Sequence, residues 1–283
     1  MVASIRQDLE PWAVVFGAGL SVASGLPDWR ALTTEAAIQS GIYDPDEQEL
    51  SELHSKKFTS VLEEAEAAGA RPFWSLITTR VCASAQPSEL HEALAVMPFQ
   101  LFVSLNYDCL LEQTFLTTRG SIQSMAYPNI DILNIRDSQL LYLHGRCPGD
   151  GSELSSATAV LTRSSYESAY RAGAVLEMVL KVILSSYNIL FVGTSVDDPE
   201  ISRIMAEIGT TIRSGGVSSA SARRRLALTP TRSNEYRTGM QWTWGGPNEI
   251  QPIFYPLIGR NDHSNLDRIL KYLAAVTERN DAA

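Results

Sequence analysis

Short apolar runs recur along the chain between longer amphipathic stretches, and this alternation predicts the elements. Ala13–Phe16 is apolar at every position, as expected of a strand buried on both faces. Gln100–Leu105, Leu140–Leu143 and Ile189–Val192 repeat the signal. Arg225–Thr229 and Ile250–Tyr255 read as the last strands, and Ile122–Tyr127 is a further candidate. Between the first two strands the period is helical. Ala31–Ala70 begins with Thr34, Ala36, Ala37 and Ile38 and is interrupted at Gly41 and Pro45. It resumes through the Glu-, Leu- and Ala-rich segment Glu47–Ala68 and stops at Gly69. A helix over Phe73–Ala83 follows, and Ser88 caps another through Leu94.

Later helices are expected over Cys109–Thr117, over Tyr166–Ser186 with an apolar face through Val175, Met178, Val179 and Val182, and after Asp198-Pro199. Asn261–Ser264 caps a last one running to Val276. Gly17–Arg30 reads as a loop with a helical turn in its first half, Cys147–Ser156 as a loop, and Ser214–Ser221 as a flexible connection. Strands that alternate with helices predict an α/β fold, a Rossmann-like doubly wound parallel sheet with an inserted helical subdomain and no zinc ribbon. A single domain over 1–283 is expected, with a core over 11–30 and 98–278 and a helical insertion over 31–97. In such sheets ligands sit beyond the carboxyl ends of the strands.

Composition narrows the function classes. The chain has 283 residues, 45% hydrophobic and 19% charged, which is globular. A net charge of -9 argues against autonomous nucleic-acid binding, and Arg223-Arg224-Arg225 is too short to reverse it. The 3 cysteines, Cys82, Cys109 and Cys147, are odd in number, widely spaced and without a C-x-x-C pair. That pattern argues against a disulfide framework or a structural zinc site and fits a reducing compartment. Residues 1–10 lack the apolar stretch of a signal peptide, and no run approaches the roughly 20 apolar residues of a membrane span, so a cytoplasmic protein is expected.

Four expected strand ends carry polar or glycine-rich groups: Gly17-Ala18-Gly19-x-Ser21, Asn106-Tyr107-Asp108, His144-Gly145 and Gly193-Thr194-Ser195. Each alone has a plain alternative. The first has Val22 where a dinucleotide fingerprint has its third glycine. Asn-x-Asp is also a helix cap, a lone His is often structural, and Gly-Thr-Ser is a common turn. Their convergence on one rim is what singles them out. His54, His91 and His263 fall in helical or capping segments, where structural or surface roles are expected.

Together with Ser24-Gly25-Leu26-Pro27-Asp28-Trp29-Arg30 and Phe191–Ile201, these motifs resemble the sirtuins, the silent-information-regulator family of NAD-consuming enzymes, and in particular their bacterial sirtuin-like branch. The resemblance runs over Trp12–Leu273. It implies that Gly17, Ala18, Gly19 and Ser21 approach the pyrophosphate of NAD+, and that Pro27, Asp28, Trp29 and Arg30 form a mobile flap over the nicotinamide. It implies that Asn106 and Asp108 line the nicotinamide–ribose pocket, that His144 is the catalytic histidine, and that Gly193, Thr194 and Ser195 hold phosphate or the adenosine ribose. The family's deacylases carry four zinc-binding cysteines after His-Gly, whereas Cys147 follows His144 alone. An Asn that the family tends to place after the next strand is replaced by Thr229-Pro230. The resemblance therefore implies NAD+ hydrolysis by Asn106 and His144 without a metal, ahead of protein deacylation or non-catalytic NAD or ADP-ribose sensing. It further implies a gated NAD-depleting effector of bacterial phage defence. Gating would come from homo-oligomerisation or a separate partner such as a HerA-type ATPase or a short Argonaute system. The acidic segment Asp44–Glu66 is a candidate subunit contact or a solvated helix face.

Overall fold

The computed structural model describes residues 11–43, 57–194, 199–214, 223–231, 250–257 and 263–281. The sheet is built first from β1 (Trp12–Phe16), β2 (Leu101–Ser104), β3 (Gln123–Ala126) and β4 (Gln139–Tyr142). β5 (Asn188–Val192), β6 (Arg225–Thr231) and β7 (Ile250–Pro256) complete it. All seven pair in parallel in the order β3-β4-β2-β1-β5-β6-β7. The chain passes from β1 to β2 and on to the edge strand β3, steps back to β4 between them, then crosses β1 and builds outward through β5, β6 and β7, which is the expected doubly wound α/β topology. The direction reverses between β1 and β5.

Ten α-helices accompany the strands among the described residues. They are α1 (Ala18–Ser21), α2 (Trp29–Gln39), α3 (Phe58–Ala68), α4 (Ala70–Val81), α5 (Glu89–Ala95), α6 (Leu110–Thr118), α7 (Arg163–Tyr170), α8 (Val175–Ser186), α9 (Pro199–Ser214) and α10 (Ser264–Asp281). Side chains of β1 alternate between two cores, as a period of two requires. Ala13 and Val15 enter the core shared with α8 and α9, while Trp12, Val14 and Phe16 enter the core shared with α5, α6 and α10. A third cluster joins α2, α3 and α4 with Tyr107, Leu154, Ala159 and Leu161. The helices between β1 and β2 thus divide: α2–α4 form a block of their own, and α5 packs on the sheet. Among the described residues no helix is long and apolar enough to cross a membrane.

Three local expectations are corrected. The helix over Tyr166–Ser186 is two helices, broken at 171–174, where Gly173 has φ +81. Its buried face is Leu176, Val179, Leu180, Ile183 and Leu184, and Met178 and Val182 face outward at 39% and 37% exposure. Two apolar stripes overlap on this helix at Val179, and the wider one is buried. Second, Trp29 and Arg30 are not loop but the first turn of α2, because the Asp28 carboxylate accepts the Ala31 N–H at 2.8 Å and caps it. Third, Cys82 and Cys147 form a disulfide. They are 65 residues apart in sequence and meet because α4 ends against the loop that follows β4, which no local spacing encodes. Cys147 is therefore not a lone thiol, and Cys109 is the free cysteine. The expected connection over Ser214–Ser221 lies almost wholly outside the described residues.

Candidate active site

Parallel pairing puts the ends of β1, β2, β4 and β5 on one rim. Ser104 pairs with Phe16 and Tyr142, and Phe16 with Val192. Asn106 and His144 each lie two residues beyond a paired position.

The glycine motifs meet each other. Gly17 N–H donates to Val192 O at 3.1 Å and Gly19 N–H to Gly193 O at 2.8 Å. A Cβ on Gly19 would stand 2.9 Å from the Gly193 backbone, and one on Gly193, whose φ is +62, would stand 2.8 Å from Leu20 N. The crevice at the point of reversal is closed by backbone, so the N–H groups of Gly17 and Gly19 are engaged with the protein rather than presented to an anion. Thr194 is half-buried beside them, and Ser195 lies outside the described residues.

The open cleft lies one strand over, between the loops after β1 and β2. Ala18, Ser21, Pro27, Asp28, Trp29, Asn106 and Asp108 line it, with Leu26, Leu32, Val81, Leu105 and Tyr107 as apolar wall. Arg30 is exposed outside it. A hydrogen-bonded chain fixes the polar wall. Asn106 Nδ2 donates to Ser21 Oγ at 2.8 Å, and Ser21 Oγ donates to Asp108 Oδ2 at 2.7 Å. Burial raises the Asp108 carboxyl above its usual range, against the hydrogen bond from Ser21. Asp108 Oδ1 also accepts the N–H of Leu110, the first residue of α6, so the residue ties the helix start to the site wall. Ser104 braces the turn, accepting from Asn106 N and donating to Asn106 O, both at 3.0 Å. Ser104 was not expected to take part; a polar residue closing a buried strand is the signal that points to it.

His144 is elsewhere. It is 1% exposed and does not line the cleft. Its Nε2 is 2.9 Å from the Tyr170 hydroxyl, and the Tyr166 hydroxyl is 3.4 Å from its Nδ1. The two tyrosines stack at 5.7 Å and each meets the imidazole edge-on. Their spacing of four residues on α7 puts both on one face, a signal present in the sequence. Gly145, at φ +105, lets the following chain close: a Cβ there would stand 2.3 Å from Thr158 O. Val160 N–H donates to His144 O at 2.9 Å, and the Tyr107 hydroxyl to Val160 O at 2.7 Å.

Of the acidic segment Asp44–Glu66, residues 44–56 lie outside the described residues. Glu63 accepts the Ser164 N–H at 2.8 Å and Glu66 accepts from Trp74 Nε1 at 2.7 Å, so both bind within the chain. Among the described residues no group of three or more His, Cys, Asp or Glu is placed to hold a metal ion.

In a parallel α/β domain ligands bind beyond the carboxyl ends of the strands, and there this one carries an amide, a carboxylate and an imidazole on neighbouring strands. The SIR2-like domain family matches residues 100–243, which include Asn106, Asp108, His144 and Gly193–Ser195. The chain belongs to the SIR2-like family. It is also similar to proteins named NAD(+) hydrolase ThsA: 30% identical over 199 residues in Cytobacillus dafuensis, 28% over 212 in Enterococcus faecium and 25% over 210 in Acinetobacter baumannii. These matches cover 69%, 71% and 74% of this chain but only 37%, 40% and 42% of the relatives, so the chain corresponds to less than half of each.

Proposed function

We propose that this domain hydrolyses the nicotinamide–ribose bond of NAD+ to nicotinamide and ADP-ribose. The observation that carries the reading is the Asn106–Ser21–Asp108 chain, which holds an amide in fixed orientation on the wall of an open cleft. The family membership and the names of the relatives support it.

The leaving nicotinamide is already cationic, so the bond loosens toward an oxocarbenium-like state without a strong acid. The site has to orient the ribose, exclude bulk water and admit one nucleophile. Asn106 has one side-chain N–H beyond the one given to Ser21 and an acceptor oxygen, which suit ribose hydroxyls or the attacking water. Water adds to C1′, its proton passes to His144, and His144 returns it to solvent. Pro27, Asp28 and Trp29 lie over the nicotinamide end. The N–H groups of Gly17 and Gly19 being engaged, Ala18 and Ser21 at the cleft wall are the members of that motif that meet the nucleotide. Thr194 and Ser195 approach its phosphate or adenosine side.

His144 is sealed from the cleft, so turnover requires rearrangement. This fits a gated, NAD-depleting effector that acts in the cytoplasm in bacterial phage defence, released by self-assembly or by a separate partner such as a HerA-type ATPase or a short Argonaute system. The same burial favours one other reading, a module that binds NAD+ or ADP-ribose without cleaving it. Product analysis of NAD+ incubated with the purified protein, before and after size fractionation, separates them. Released nicotinamide, lost on Asn106→Ala and on His144→Ala in folded protein, supports hydrolysis. Calorimetric NAD+ binding without nicotinamide supports sensing, and turnover that survives both substitutions removes the hydrolytic site.

A further inference from the structure

We propose that the Cys82–Cys147 disulfide is a thiol-controlled latch. Intact, it holds the excursion after β4 shut behind His144, and its reduction by a dithiol lets that excursion open toward the cleft and raises turnover. Its effect on turnover rests on the hydrolytic reading, whereas the opening itself does not.

The bond joins the cleft wall to the chain that follows His144. Cys82 directly follows Val81, the last residue of α4 and part of the cleft wall. Cys147 comes after His144-Gly145-Arg146, at the start of the excursion that returns at Val160. Its N–H donates at 2.8 Å to the carbonyl oxygen of Tyr107, another cleft residue. Further along, Leu154 N–H donates to Thr78 Oγ1 of α4 at 2.9 Å, and Val160 is bonded to Tyr107 and to His144 O. Leu154, Ala159 and Leu161 share the apolar cluster of α2–α4. Hydrogen bonds of this kind have a small net worth and open and reclose locally. The disulfide does not open without chemistry, and it spans 65 residues, so it removes most of the arrangements in which α4 and the excursion stand apart. Reduction leaves the packing in place, so the excursion opens in a fraction of molecules and does not detach.

Compartment and access make the bond switchable. In the cytoplasm, where the proposed function places the protein, thiol systems keep cysteines reduced, and the disulfides found there are transient, catalytic or redox-sensing. Cys147 is buried, but Cys82 is partly exposed, so a reductant reaches the bond from the Cys82 side. The thiolate of a dithiol attacks Cys82 Sγ, the Cys82–Cys147 bond breaks, and Cys147 leaves as a thiolate that takes a proton. The second thiol of the reductant then displaces Cys82 from the mixed disulfide. Both cysteines end as thiols and the dithiol as its own disulfide, having given up an electron pair and its protons. The free Cys109 lies beside the bond, its Sγ 3.8 Å from Cys147 O. Burial pushes its thiol up, so it stays protonated and the attacking thiolate comes from outside.

The test uses the full chain, oxidised with glutathione disulfide or reduced with dithiothreitol. Alkylation in denaturant, read by mass, is expected to label Cys109 alone in the oxidised protein and all 3 cysteines in the reduced one. On reduction, hydrogen exchange is expected to quicken about tenfold or more at the amides of Cys147, Leu154 and Val160 and to stay unchanged in β1 and β5. Nicotinamide release from NAD+ is expected to rise about tenfold on reduction, and Cys82→Ser to show the reduced rate under both conditions. Labelling of all 3 cysteines after oxidation overturns the proposal. So does exchange that is unchanged on reduction, or quickened equally across the sheet, as a merely structural bond would give. Release that is measurable but does not rise on reduction overturns it as well. Where Cys82→Ser does not fold, reduction of the folded wild type carries the same test. If neither form releases nicotinamide the hydrolytic reading fails by itself, and labelling and exchange still decide whether the bond holds the excursion shut.

Discussion

Asn106 and His144 occupy equivalent places in the sheet and have opposite surroundings. Each follows its strand by two residues, on neighbouring strands paired at Ser104 and Tyr142. Asn106 lines an open cleft through a polar chain of three side chains, whereas His144 is enclosed by aromatic rings. What comes after each strand makes the difference. β2 leads at once into α6, whose first N–H is held by Asp108. β4 leads into a long excursion that returns to bond His144 O through Val160 and then delivers two tyrosines on α7. Sheet topology fixes where a functional side chain stands, and the connection that follows fixes whether anything can reach it.

The largest expected effect tests whether the two ends act together. Asn106→Ala and His144→Ala should each lower NAD+ turnover by about a thousandfold. The double variant should lose little more, as groups acting in one step are not additive. Nicotinamide release measured on all three checks it, and a double loss equal to the product would show two independent functions. Next, Gly145→Ala should destabilise the protein by about 3 kcal/mol, since it combines a left-handed φ with a backbone clash. Urea unfolding measures this, and Gly25→Ala, also at positive φ but with nothing within 4 Å, should cost only the conformational part, about 1 kcal/mol.

These particulars show how far the sequence was legible. The strands and their polar ends were readable because runs such as Ala13–Phe16 and Ile189–Val192 are buried on both faces and leave no alternative period. The phase of α8 was not, because two apolar stripes share Val179. Gly17-Ala18-Gly19 was readable as a place of close backbone approach, but the pattern does not say what approaches. It is Gly193 of the same chain. The Cys82–Cys147 pair and the seal over His144 are meetings of distant segments, and no local spacing records them.

A pH profile would sharpen the comparison further, but another histidine interferes. His91 is 1% exposed, replaces the usual Glu or Gln in a capping box with Ser88, and is pushed down to about 4 by burial. Its ordinary value is 6.5. Between those limits the unfolded chain binds a proton that the folded one does not. Stability is therefore complete above pH 6.5 and falls with acid by up to about 1.4 kcal/mol per pH unit, about 3 kcal/mol in all by pH 4. His91→Gln keeps the cap and should flatten unfolding midpoints over that window, so that any remaining acid limb in turnover belongs to the site. The smallest effect on turnover is expected at Ser21→Ala, which leaves Asn106 and Asp108 in place but unlinked. A loss of about tenfold in kcat with little change in melting is expected, and an unchanged kcat would show that the chain orients nothing.

The contact of Gly17 and Gly19 with the Gly193 loop has a consequence for anyone rebuilding this rim. Two peptide planes lie against each other with no side chain between them, so the loops cannot be exchanged or redesigned one at a time. A graft of the β1 loop brings a surface shaped only for its own β5 partner. A substitution in either loop has no compensating change in the other, because at Gly19 and Gly193 glycine is already the smallest residue there is. The two motifs, more than 170 residues apart in the chain, behave as one inherited part.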